Sequence, residues 1–228
     1  MSLATIAGLL ADRTRAAFCL ALLDGRAWTA GELARHARVA PSTASEHLSR
    51  LVAGGLLTEE RQGRHRYVRL ADGAASLVED LSAYGAGGAD DAPAPRNLRE
   101  SVRRSAEARA RTCYDHLAGH LGVAVADAAL DRRLVADEAG LVVTEAGRAW
   151  LAGLGIDIGA LKGPRPVIRR CLDWTERRHH LAGAVGAALC LRAFDLGWVE
   201  RIGSGRALRV TADGERALHD QLAIDLRA

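Results

Sequence analysis

At 228 residues, with 31 Lys+Arg against 28 Asp+Glu and a net charge of +3, the chain has room for one large or two ordinary domains. No apolar run approaches the ~20 residues of a membrane span, and Met1-Ser-Leu-Ala lacks the charged start of a secretory signal. The expectation is a cytoplasmic protein without a membrane partner. Four well-separated cysteines argue against a disulfide framework and leave metal binding, redox chemistry or plain burial open.

Residues 3–10 read as a short apolar helix. Asp12 is a candidate N-cap for a second helix running to Leu23, with Ala16, Ala17, Leu20 and Leu23 inward and Cys19 as core filler beside them. Asp24-Gly25 turns the chain into a helix-turn-helix pattern. Thr29-Ala-Gly-Glu32 has the form of a capping box, and Leu33 and Ala37 share one face of the helix it opens. Val39-Ala-Pro-Ser42 breaks that helix, because Pro41 has no N–H and disfavours a helical residue before it. The next helix starts near Ser42. Ala44, Leu48, Leu51 and Val52 recur at helical spacing, which leaves Ser42, Thr43, Ser45, Glu46, Ser49 and Arg50 outward. Gly54-Gly55 stops it. Leu57–Arg61 and Arg66–Leu70 then read as two strands of a wing around Gln62-Gly63-Arg64-His65.

This layout suits double-stranded DNA. A helix whose outer face carries small hydroxyls can enter a major groove about 12 Å wide. Arg61, Arg64, His65 and Arg66 would set positive charge over the flanking phosphates, where binding is largely electrostatic. Glu46 opposes phosphate but can accept from a cytosine amino group. A winged helix used only for protein contacts is the alternative.

Residues 1–84 resemble the ArsR/SmtB family of winged-helix regulators. The resemblance is carried by Ala11-Asp-Arg-Thr-Arg15, Thr29-Ala-Gly-Glu-Leu-Ala34, Ser42-Thr-Ala-Ser-Glu-His-Leu48, Leu51-Val-Ala-Gly-Gly-Leu56 and Arg61-Gln-Gly-Arg-His-Arg-Tyr67. It implies a homodimeric repressor on a near-palindromic operator, tuned by a small effector. It also implies that the first and last helices of this region build the dimer, through Ile6, Leu9, Leu77 and Leu81. Two familiar metal sites of that family do not fit. Glu32-Leu-Ala-Arg-His-Ala37 lacks the Cys-x-Cys of one, and the helix from Asp72 to Tyr84 lacks the histidine of the other. Any effector binds elsewhere.

Gly85–Pro95 is small, polar and rich in Pro and Gly, so residues 85–96 read as a linker to a second domain, 97–228. A long Arg/Ala-rich helix follows from Asn97. The second domain then repeats itself. His116–Val135 aligns without gaps to His180–Val199, and Leu141–Arg148 corresponds to Leu208–Glu215, each a strand feeding a helix through a Thr cap. Trp198–Arg201 and Ala207–Val210 are expected to pair as a hairpin. The fold class is mainly α with small β-wings (α+β): a winged helix-turn-helix, then two helix–wing–helix repeats over about 113–157 and 171–225.

A Cys-x-Asp precedes each copy, as Cys113-Tyr-Asp115 and Cys171-Leu-Asp173, and His116 and His180 open the repeats. Cys113 and His116 are expected at i, i+3 on one helix. If the copies pack about a pseudo-twofold, these six side chains converge as possible ligands for a transition metal ion such as zinc. They also suit a polar organic effector, a redox-sensing thiol pair, or a purely structural role in which buried His and Asp hydrogen-bond each other. His120, His179 and Cys190 have no counterpart and are peripheral to this scheme. Cys, His and Asp together can also make a nucleophile system, but no Gly-rich oxyanion turn accompanies them, so the chain is not expected to be an enzyme. An effector-independent architectural DNA binder is the other alternative.

Overall fold

The structure, a computed structural model, describes residues 2–63, 65–71, 73–85, 98–138, 140–163, 165–203 and 205–226, with backbone only at 83–85, 99 and 100. Arg64, the Asp72 cap and all but the first residue of the expected linker lie outside the described residues. The chain forms two compact units, residues 1–81 and 82–228, with a mixed α+β fold.

The first unit opens with α1 (Leu3–Leu10) and α2 (Arg13–Leu22). The Asp12 carboxylate accepts from the N–H groups of Thr14 and Arg15 and so caps α2. Buried Arg15 reaches back to the last turn of α1 and donates to the carbonyls of Leu9 (2.5 Å) and Gly8 (2.9 Å). It thereby satisfies carbonyls that a helix end leaves open. The Arg15 N–H, set against partial burial and helped by His47, holds the Asp12 carboxyl below its usual range. Asp12→Ala should therefore cost about 1 kcal/mol at neutral pH. The difference should close in acid, once pH falls through that lowered value, because a depressed carboxyl stabilises only while ionised. Urea titrations at both pH values check this.

A two-residue strand, β1 (Trp28–Thr29), leads into α3 (Ala30–Ala37), and the Thr29/Glu32 capping box forms in full. Arg38, at φ 58°, ends α3, and Pro41 occupies the first turn of α4 (Pro41–Ala53). The wing is β2 (Leu57–Gln62) against β3 (His65–Leu70), one residue longer on each strand than expected, because Gly63 at φ +59° permits a tighter turn. β1 adds to β3 with Trp28 opposite Val68, giving the sheet order β1-β3-β2. Phe18, Leu22, Leu33, Leu48, Leu51 and Val68 fill the core. Helix α5 (Ala74–Gly85) follows.

The second unit opens with α6 (Leu98–Arg109). Two copies of one pattern come next. The first is β4 (Arg111–Cys113), β5 (His116–Ala118), α7 (Gly119–Asp131), β6 (Val135–Asp137), β7 (Leu141–Val143) and α8 (Glu145–Gly153). The second is β8 (Arg169–Leu172), β9 (His179–Ala182), α9 (Gly183–Asp195), β10 (Val199–Arg201), β11 (Leu208–Val210) and α10 (Ala212–Leu222). Thr144 and Thr211 cap α8 and α10 through the N–H groups of Gly147 and Gly214. Val199 pairs with Val210 and Arg201 with Leu208 in the second wing.

Each copy thus carries a further hairpin ahead of its helix and wing. That hairpin corrects one expectation: Cys113 and His116 are not on a helix. They face each other across β4 and β5, as Cys171 and His180 do across β8 and β9. Tyr114 at φ 54° makes a two-residue turn, which a helix through this point could not include. The copies also embrace each other. Helix α7 packs on β9 and α9 on β5, over one shared core that includes Leu121, Val125, Leu151, Val185, Leu189 and Leu218. Among the described residues both copies contribute to this one core.

Candidate functional site

In the first unit α4 turns Ala44, Leu48 and Leu51 into the core. Ser42, Ser45, Glu46, Ser49 and Arg50 are exposed and Thr43 is half-buried. Arg50 donates to Glu46 Oε1 at 2.5 Å, one turn back, so the acidic side chain partly offsets the basic one. Ser49 Oγ donates to the Ser45 carbonyl and accepts from Arg66 Nη1 at 3.2 Å. Arg66 also pairs with Glu59, so it ties the tip half of the wing to the helix rather than reaching outward. Arg61 and His65 are exposed on the two strands flanking the turn. Of the expected dimer residues, Ile6, Leu9 and Leu77 are half-buried and Leu81 is exposed.

In the second unit the two leading hairpins bring Cys113, His116, Cys171 and His180 together. One ligand atom from each lies within 4.8 Å of all the others, and all four residues are buried. The small side chains Ala118 and Ala182 pack with the two cysteines. Cross-strand placement does this work, since residues directly opposite in an antiparallel pair project to the same face. Nε2 of His116 lies 3.1 Å from Nε2 of His180.

The two aspartates stand behind the histidines and outside that cluster. Asp115 Oδ1 faces Nδ1 of His116 at 3.3 Å, while its Oδ2 accepts from Arg165 at 2.6 Å. Asp173 Oδ2 faces Nδ1 of His180 at 3.1 Å. Asp173 is fully buried and accepts from Arg111 Nη2 (2.9 Å), from the Thr175 hydroxyl and N–H, and from the Gly119 N–H (2.7 Å). The last contact caps α7 from the opposite copy, where Ala118 offers no side-chain cap. Burial raises the Asp173 carboxyl, but His180, Arg111 and Thr175 outweigh it and hold the group far below the usual carboxylate range. Burial likewise works against a charged His180, yet Asp173 and Cys113 draw its value above the ordinary one. Asp115 is also lowered, with His116 and Arg165 overcoming its burial.

Arg111 is the residue that sequence reasoning missed. Its guanidinium is buried, bonded to Asp173, Thr175 and the Glu107 carbonyl, and covered by the Trp174 ring at 4.8 Å. A signal for it exists: Arg-x-Cys-x-Asp occurs in both copies, at Arg111–Asp115 and Arg169–Asp173. His120 lies outside the cluster beside Glu176, at 3.5 Å. Cys190 and Cys19 also lie apart, with burial pushing their thiols up to about 12 and about 11.

Comparison with known proteins bears on the first unit and then on the whole chain. A family model described as a helix-turn-helix domain matches residues 10–60. The HTH-type transcriptional regulator YdfF of Bacillus subtilis (strain 168) is 38% identical over 232 residues, covering 99% of both chains. The chain belongs to the HTH-type transcriptional regulators. Its first unit is ArsR-like in its motifs and in the order of its helices and wing. The crystal structure of an ArsR family transcriptional regulator is 30% identical and covers 36% of this chain and 84% of that one, with a TM-score of 0.31. The likeness to YdfF runs through both units, so in this regulator the duplicated region is part of a shared whole. Among the described residues no helix is long and apolar enough to cross a membrane.

Proposed function

We propose that this regulator is a homodimer that binds a near-palindromic DNA operator as a repressor, with affinity set by a small effector held at the Cys/His cluster of the second unit. The observation that carries the DNA reading is the outer face of α4, with hydroxyls and Arg50 exposed beside a wing bearing Arg61 and His65. Dimerisation through α1 and α5 is supported by α1, an apolar helix without one buried side chain, and by Leu81, exposed at 48%. Catalysis is not part of this reading, since transcriptional regulators of this kind act by binding.

The test is fluorescence anisotropy on a duplex selected by the protein from a random library, repeated across a salt series. Arg61→Ala should weaken binding and reduce the slope of log K against log salt by about 0.9, the contribution of one phosphate contact. An unchanged slope and affinity at every salt concentration would remove the wing from the interface. Analytical ultracentrifugation of the Ile6→Glu, Leu9→Glu variant tests the dimer, with a monomer expected.

A further inference from the structure

We infer that Cys113, His116, Cys171 and His180 form a closed four-coordinate site for one divalent transition metal ion of the zinc class, bound through two thiolates and two Nε2 atoms. The inference names the effector of the reading above, but only its regulatory consequence rests on that reading. The facing imidazoles supply the first reason. Each Nδ1 has a carboxylate before it, Asp115 at 3.3 Å in a hydrogen bond and Asp173 at 3.1 Å as an ion-pair contact without hydrogen-bond geometry. A neutral imidazole that gives its N–H to a carboxylate keeps a lone pair on Nε2. The two Nε2 atoms face each other at 3.1 Å in a buried place, where one cation can take a lone pair from each ring.

Geometry agrees. Zn–N bonds of about 2.0–2.1 Å and Zn–S bonds of about 2.3 Å make tetrahedral edges of about 3.3 Å between nitrogens and about 3.8 Å between sulfurs. The Nε2 separation of 3.1 Å and the overall span of 4.8 Å need little adjustment. Charge agrees as well. Two thiolates neutralise a divalent ion, Arg111 neutralises Asp173, and Arg165 neutralises Asp115. The donors are borderline to soft, which favours zinc-like ions over calcium or magnesium. A carboxylate stands behind each imidazole, the placement that orients histidine ligands in metal centres. Four protein donors leave no open position, so the ion orders structure and does no chemistry on a substrate. Each copy gives one Cys and one His, so the ion ties the two halves of the second unit together.

The test uses the full chain, reduced and stripped with a chelator, titrated with Co(II) without oxygen and then with Zn(II). One Co(II) per chain is expected, with the intense visible bands of a tetrahedral site and a thiolate-to-metal charge-transfer band, both erased by one equivalent of zinc. Cys113→Ala, Cys171→Ala should abolish the charge-transfer band while circular dichroism reports the fold. Asp115→Asn should weaken affinity about 10- to 100-fold without changing stoichiometry. His179→Gln, next to the cluster but outside it, should bind like the parent. A stripped, folded chain that takes up no Co(II), or one whose charge-transfer band survives loss of both cysteines, overturns the site. DNA affinity measured with and without zinc is a separate readout. One ion bound with no change in DNA affinity leaves the site standing and removes it as the effector site.

Discussion

Asp173→Ala is expected to destabilise the second unit by about 3–5 kcal/mol, the cost of leaving a buried charge without its partner. The carboxylate and the Arg111 guanidinium are both at zero exposure, and Arg111 Nε has no hydrogen-bond partner. Removing Asp173 therefore strands a cation that is already incompletely satisfied. It also strips an acceptor from the N–H groups of Gly119, Thr175 and Glu176, and so uncaps α7. Urea unfolding followed by tryptophan fluorescence reads the effect, since Trp150, Trp174 and Trp198 all lie in this unit. Asp173→Asn should recover part of the loss, because its remaining oxygen can still accept. Arg111→Met, Asp173→Leu should recover most of it, because apolar replacement of a buried pair removes both desolvation costs. If the single alanine variant unfolds at the parent's urea midpoint, the pair is not what secures the joint between the copies.

The first unit was readable because its signals are local. Thr29 and Glu32 form the expected capping box, Pro41 sits where a helix can start, and the buried face of α4 follows its apolar spacing. The strand β1 was not readable, since two residues, Trp28 and Thr29, carry no period and take their conformation from β3. The same holds for the hairpins that open each copy. Their strands are three or four residues long, and β4 and β5 are buried at every position, so no alternation marks them. Internal duplication revealed which residues matter there without revealing what backbone carries them. It also could not separate ligands from their supports. Cys113, His116, Cys171 and His180 converge, whereas Asp115 and Asp173 stand one layer out, a distinction that depends on side-chain direction across a hairpin.

Gly122→Ala and Gly186→Ala should each cost about 1–3 kcal/mol or more, and by similar amounts, because the two positions are related by the duplication. A methyl on Gly122 would lie 2.4 Å from the Leu117 carbonyl oxygen and 3.4 Å from Cβ of His180. One on Gly186 would lie 2.6 Å from the Leu181 oxygen and 3.3 Å from Cβ of His116. The obstacle is backbone in both cases, which a side-chain rotation cannot relieve. Each glycine therefore lets its helix sit tightly on the end of the preceding strand of its own copy, with the other copy's histidine next to it, and an added methyl should displace that helix. Gly153→Ala is the matching control. It sits in α8 with nothing near its would-be Cβ, so alanine there should be neutral or stabilising by up to ~1 kcal/mol. Chemical denaturation of the three variants separates a steric requirement from a general preference for glycine. Equal stability at all three positions would mean that these two helices do not pack so closely on the strands that precede them.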